Sequence, residues 1–187
     1  MIPKIDSEIG ISVYTTKFPG CGGIIKKQND DFVVSEVITE KAHSRICSDS
    51  GYAVYKLKKN GIDTTHALGK IFKKHGLRLK ALGLKDASAV TEQFVFTTSK
   101  MKHDFEINEP RYSLKKIGFT DKPLSKKEMV GNHFQIKIDN ASDIVSQFEE
   151  YDRILNFYGY QRFGSTRPIS HLIGKSLLQK NYLNAIQ

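Results

Sequence analysis

Cysteine is scarce in this chain: Cys21 and Cys47 are the two in 187 residues, and neither stands in a CxxC pair or beside clustered histidines. That pattern excludes a disulfide framework and a cysteine-built zinc site, and it leaves two reduced thiols. Long apolar runs are missing as well, since no stretch approaches the roughly 18 residues that span a bilayer. The opening MIPKIDSEIG is neither an apolar signal core nor an Arg-rich amphipathic presequence, so no membrane partner is expected and the expected location is cytoplasmic. There is no internal repeat and no low-complexity linker. What remains, 39% hydrophobic and 26% charged, is the composition of a folded chain rather than a disordered one. The length suits one domain, or one domain and the start of another, with a genuine core.

Acids are in deficit, with 20 Asp and Glu against 29 Lys and Arg, a formal charge of +9. The excess is clustered: Lys70, Lys73, Lys74, Arg78, Lys80 and Lys85 follow one another with no acid between them. Such a run fits a phosphate-binding face. It fits a solvated lysine-rich surface equally well, and charge alone does not choose.

Periodicity divides the chain. Phe32 to Ile38 is β-branched and aromatic and follows a Gln-Asn-Asp-Asp turn, which predicts a strand. Gly51 to Lys58 alternates and runs into Lys-Asn-Gly, predicting a second. Asp63 is placed to cap a helix from Thr64 to His75 that Gly76 stops. On that helix Ala67, Leu68, Ile71 and Phe72 should face inward, and Lys70, Lys73 and Lys74 outward. Extended pieces follow at Arg78 to Leu84, Phe94 to Thr98, Arg111 to Phe119 and His133 to Ile138. From Asn140 to near Gly159, Ile144, Val145, Phe148, Tyr151, Ile154 and Leu155 predict an amphipathic helix, and a last helix runs from about Ile169 to the end. Strands without regular βαβ alternation predict an α+β fold with a mixed, largely antiparallel sheet flanked by helices. The final Asn184-Ala-Ile-Gln187 reads as cut inside a helix.

Chemistry concentrates in Gly83-Leu-Lys-Asp-Ala-Ser-Ala-Val-Thr-Glu-Gln93, where Asp86 sits in a Gly-flanked loop between apolar strands. A loop carboxylate on rigid strands is placed to act on a substrate; a lone Asp in a loop is also a common turn or cap residue. Three more segments bear on that choice: Ile25 to Glu36, Gly131-Asn132-His133-Phe134, and Asn156 to Gly164.

These four segments, in this order, resemble the motif series of the TruD family of tRNA pseudouridine synthases. The family's GxKDxxAxTxQ loop is matched at Gly83, Lys85, Asp86, Ala89, Thr91 and Gln93. Its NYxGxQRFG motif is nearly kept from Asn156 to Gly164, and Thr166 to Gly174 is similar to the archaeal branch. Asn29-Asp30-Asp31-Phe32 replaces the usual Pro-Glu-Asp-Phe, and Asn156-Phe157-Tyr158 departs in one position from the usual order; neither change removes a reacting group. Members are about twice this long, with a large domain inserted soon after the Gln-Arg-Phe-Gly run. The resemblance therefore implies that residues 1–164 are the first part of a pseudouridine synthase catalytic domain, incomplete here, and that 165–187 begin the inserted domain.

The implied activity is isomerisation of a tRNA uridine, at position 13 in the D arm, to pseudouridine, with no cofactor and no metal. Covalent-catalysis logic asks for an ionised carboxylate, and the motif assigns it to Asp86. A carboxylate under a stacked base is pushed toward its protonated form unless a cation opposes this; the resemblance gives that part to Lys26, with Lys27 a less favoured alternate and Lys85 turned to phosphate. The base must leave its stack, so Phe134 is expected to stack on it and Asn132 to position it, although Phe134 also alternates with Ile136 and Ile138 as a core residue would. Gln161 and Arg162 are expected at the substrate or bracing the loop, and Lys70, Lys73, Lys74, Arg78 and Lys80 on RNA backbone. The scattered histidines, among them His66, His75, His103, His133 and His171, receive no catalytic part. Two other readings stand beside this one: a non-catalytic RNA-binding fragment, or half of a split enzyme completed by a second chain, and a basic structural protein, which leaves the Lys-Asp loop unexplained.

Overall fold

The computed structural model describes residues 2–47, 49–100, 106–148, 153–164 and 167–186. In chain order its elements are α1 (Lys4–Glu8), β1 (Ile24–Ile25), β2 (Phe32–Ile38), α2 (Glu40–Ser44), β3 (Tyr52–Asn60), α3 (Thr64–His75) and β4 (Leu79–Ala81). Then come β5 (Val90–Thr97), β6 (Ile107–Glu109), β7 (Tyr112–Thr120), β8 (Met129–Ile136), β9 (Ile138–Asp139), α4 (Ser170–Leu178) and α5 (Tyr182–Ile186). They form two units, Gly22–Ser142 and the pair Met1–Cys21 with Asp143–Gln187. Among the described residues no helix is long and apolar enough to cross a membrane.

The first unit is built on a seven-stranded sheet in the order β6-β7-β3-β5-β2-β8, with β4 beside β5, and β1 and β9 form a separate ribbon. Among the described residues only β2 and β5 run parallel; the other pairs are antiparallel, so the fold is α+β with a mixed, mostly antiparallel sheet. Alternation along β3 sends Tyr55 and Leu57 to one face, where α3 supplies Ala67 and Ile71 and neighbouring strands supply Val95 and Leu114. Val54, Phe94 and Phe96 point the other way into a second cluster with Ala42 and Leu124. The helix is as its ends dictate: the Asp63 side chain accepts from the His66 N–H, and Gly76 closes it at φ 68°, a left-handed turn that glycine adopts without penalty.

Directly opposed residues in neighbouring strands share a face. One such row crosses the whole sheet through Tyr112, Lys59, Thr91, Val34 and Phe134. Along it exposure runs 7%, 1%, 1%, 6% and then 52%. The helix covers one end and leaves the β2–β8 end bare.

Phe72 differs from the sequence expectation. It is 42% exposed, with the Arg78 guanidinium 4.8 Å from its ring centroid; the inward stripe is narrower than the periodicity implied, and a cation shields the leftover ring.

In the second unit the Asp6 carboxylate is buried and accepts from the Tyr14 and Tyr160 hydroxyls. Those bonds, Tyr14 first, hold it below the usual carboxylate range. Phe18 meets Phe148 edge-on at 5.4 Å. Among the described residues the long helix expected after Asn140 is not formed. Asn140 takes φ 57°, only a 3-10 turn forms at Asp143–Gln147, and residues 153–159 have no regular structure. Tyr151 lies outside the described residues. Val145, Ile154 and Leu155 stay 51%, 73% and 48% exposed, and an amphipathic stripe without a buried face lacks the packing that stabilises most helices in proteins. The last predicted helix is two short ones, broken where Lys180 turns left-handed.

Candidate active site

The bare end of the sheet carries a cavity of about 230 Å³. Val34, Thr91, Asn132 and Phe134 make its floor from three adjacent strands, Lys26 and Phe32 close one side, and Lys85 and Asp86 arrive from the loop before β5. The four residues the motifs nominated from distant segments, Lys26, Asp86, Asn132 and Phe134, thus line one pocket.

Phe134 is half exposed, so it is not a core residue despite its alternation. Its ring meets Phe32 edge-on at 6.0 Å, leaving a face free for a planar ligand. Lys26 takes φ 56°, a left-handed backbone that costs a side-chain-bearing residue roughly 1–2 kcal/mol. Its ammonium lies 4.0 Å from the Phe32 ring centroid, and among the described residues no carboxylate pairs with it. An exposed cation, an exposed carboxylate and an aromatic face therefore share one opening, which suits a planar base joined to an anionic backbone. Lys27, the alternate cation, is turned to Asp139 at 3.8 Å.

The Asp86 loop is wired from beneath. Gln93, fully buried, donates to Gly83 O at 2.9 Å and accepts from Thr64 Oγ1 at 2.8 Å, and Thr64 Oγ1 in turn accepts from Lys85 N at 2.9 Å. Lys85, expected from the sequence to turn to phosphate, is instead enclosed and ion-paired. It is buried at the pocket wall with Nζ 2.7 Å from Glu36 Oε1, while Glu36 Oε2 accepts from Phe94 N at 3.0 Å. A Cβ on Gly83 would come within 3.2 Å of that ammonium, a tight contact. Thr91 Oγ1 is buried with no hydrogen-bond partner among the described residues.

Lys70, Lys73, Arg78 and Lys80 are exposed as expected. Lys74 is exposed too, but Glu109 pairs with it at 2.5 Å and neutralises part of the stripe. Beside it lies a larger hollow of about 460 Å³, lined by Lys70, Lys73, Arg111 and Tyr112. It contains none of the four motif residues, so the smaller pocket is the candidate site. Gln161 and Arg162 belong to the other unit, in an exposed 3-10 turn at Tyr160–Arg162.

Two residues that sequence reasoning passed over, Glu36 and Lys59, are 4% and 1% exposed. A signal was present. Glu36 is in phase with Val34 on β2, and Lys59 with Tyr55 and Leu57 on β3, and a charge at an inward position of a strand has a partner or a task.

Comparison with known proteins agrees with this geometry. The family profile described as tRNA pseudouridine synthase D (TruD) matches residues 8–187. A Methanosarcina mazei protein named "Probable tRNA pseudouridine synthase D" is 30% identical over 200 residues, covering 98% of this chain and 44% of the relative. Its Methanosarcina acetivorans namesake is 33% identical over 203 residues, with the same coverage. A crystal structure assigned to TruD from Methanosarcina mazei superposes with a TM-score of 0.78 at 27% identity, covering 98% of this chain and 45% of that one. The chain spans less than half the length of these relatives. With its motif residues gathered in one pocket and its sequence matched almost end to end, the chain belongs to the tRNA pseudouridine synthase D (TruD) family.

Proposed function

We propose that this chain is the Asp86-bearing part of a tRNA pseudouridine synthase, acting on uridine-13 of the D arm. The observation that supports this most is the convergence of Lys26, Asp86, Asn132 and Phe134 on one cavity of about 230 Å³. A cavity this size admits a single base and excludes a duplex, so the uridine must leave its stack, which costs a few kcal/mol. Stacking on Phe134 returns roughly 1–3 kcal/mol of that. Asn132 then orients the base edge, and the Asp86 carboxylate acts on the nucleotide. The N1–C1′ bond breaks, the uracil turns, C5 bonds to C1′, and the proton on C5 is lost while N1 gains one. Lys26 supplies positive charge beside the anion. Lys70, Lys73, Arg78 and Lys80 serve the RNA backbone, and residues 165–187 open the inserted domain.

In this reading the chain works with the rest of a catalytic body. Val130, Phe134 and Ile136 on the edge strand β8 are 66%, 52% and 45% exposed. An unpaired apolar edge is a strand-docking surface, here for the remaining half of the family's catalytic domain, in the same polypeptide or a second chain. The 187-residue chain alone is expected to bind tRNA weakly and not to turn over, because catalysis needs the reacting groups held within about 0.5 Å. Tritium release from tRNA carrying C5-labelled uridine, with primer-extension mapping of the product, tests both parts. Release by the completed protein, and not by the fragment, is expected; repeated turnover by the fragment contradicts the need for completion.

A further inference from the structure

β3 presents Lys59 to the face covered by α3, in phase with Tyr55 and Leu57, and buries it to 1% exposure. Its ammonium donates to three main-chain carbonyls: Ile62 O at 2.8 Å, Lys85 O at 3.1 Å and Asp86 O at 2.8 Å. Among the described residues no carboxylate pairs with it. An ammonium has three donors and no acceptor, so its capacity is filled by backbone alone. Burying a charge without a counter-ion is costly, and an apolar side chain at this position would extend the core. The cost is explained by what the ammonium holds, because Lys85 O and Asp86 O lie on either side of the Asp86 Cα.

The two carbonyls are not equally secured. Lys85 O also accepts from Thr64 N at 3.2 Å. Asp86 O has Lys59 as its donor among the described residues. We propose that Lys59 is a positioning residue for Asp86: its buried ammonium clamps the peptide groups flanking the pocket carboxylate, and the clamp opens when the ammonium loses its proton. This inference rests on Asp86 being the reacting group.

Burial pulls the Lys59 pKa down to about 8; Asp63 and Asp86 oppose that, and Lys85 adds to it. The other charged or titratable neighbours are Glu36, paired with Lys85, and Arg111 and Tyr112 across from β3. A neutral amine keeps two hydrogens and turns a lone pair toward the third acceptor. The bond given up is the longest one, to Lys85 O, which keeps Thr64 N as a donor, and the clamp on the peptide group before Asp86 loosens.

The test uses the 187-residue chain without RNA, so a failed clamp and a failed catalytic assignment are separate results. Carbonyl ¹³C shifts of Ile62, Lys85 and Asp86 are followed by NMR from neutral to alkaline pH together with the Lys59 side-chain nitrogen. The Lys85 and Asp86 carbonyls should both move with the Lys59 titration, near pH 8. In Lys59→Met that transition should vanish, and backbone order parameters over 84–89 should fall from about 0.85 to below about 0.6 while β3, β5 and α3 stay rigid. Lys85 and Asp86 carbonyl shifts that stay flat while Lys59 titrates overturn the proposal. So does a loss of order in Lys59→Met spread evenly over the core, which would make Lys59 a structural cation only. Should Lys59→Met fail to fold, the wild-type titration decides by itself.

Discussion

The sheet has a covered end and a bare end, and one row of residues joins them. Under α3, Tyr112 and Lys59 are sealed; three strands further on, Phe134 lies half in solvent. The difference is one of partners, not of composition. Both ends are rich in aromatic and β-branched residues, but at the covered end these meet a helix, whereas at the bare end they border a pocket and an unpaired edge. A fold that leaves Phe134, Val130 and Ile136 exposed retains an aromatic face and a strand edge for something that binds there. Just beneath that opening, the loop carrying Asp86 is held by buried polar bonds to Gln93, Thr64, Glu36 and Lys59. The bare end is open above and rigid below, which is what a reactive pocket requires.

The comparison breaks most severely at Glu36. Glu36→Leu should strand the Lys85 ammonium without its counter-charge and cost about 3–5 kcal/mol in urea unfolding; a loss under about 1 kcal/mol would mean that the loop is not wired as described. Leu57→Ala, in the covered core, should cost about 2–5 kcal/mol. Its counterpart Phe134→Ala should leave stability within about 0.5 kcal/mol, yet weaken tRNA binding by about 1–3 kcal/mol. If the two variants were equally destabilising, the two ends would not differ.

The basic stripe gives a smaller effect. Lys70→Ala with Lys73→Ala should lower the slope of log affinity against log salt by about 0.7–0.9 for each phosphate that is no longer neutralised. Lys74→Ala should change it less, since Glu109 already pairs with that lysine. The comparison also turns on the pH dependence of Lys59. Between about 8 and its ordinary 10.5, the unfolded chain keeps a proton that the folded chain has released, so this group's contribution to stability rises with pH there. Lys59→Met should lack that rise when the two are compared by thermal unfolding across the range.

Much of the covered end is legible in the sequence because local signals agree with burial. Asp63, the apolar spacing of α3 and Gly76 set the helix at both ends, and the alternation of Phe32 to Ile38 sets the limits of β2. Motif order brings Lys26, Asp86, Asn132 and Phe134 to the pocket although nothing local joins them. The region after Asn140 misleads because periodicity records an apolar stripe without recording whether a partner buries it. Lys85 misleads because its charge suggests solvent, and its counter-charge Glu36 lies 49 residues away in sequence. The main-chain acceptors of Lys59 are not legible at all, since backbone carbonyls leave no trace in side-chain identity.

The central claim is that Asp86 is the reacting carboxylate, and Asp86→Asn in the completed protein tests it most directly, because the change removes the charge while hardly altering shape. Single-turnover tritium release from C5-labelled tRNA should fall by several orders of magnitude while tRNA affinity stays within a few-fold of wild type. Release by Asp86→Asn at the wild-type rate would contradict the assignment.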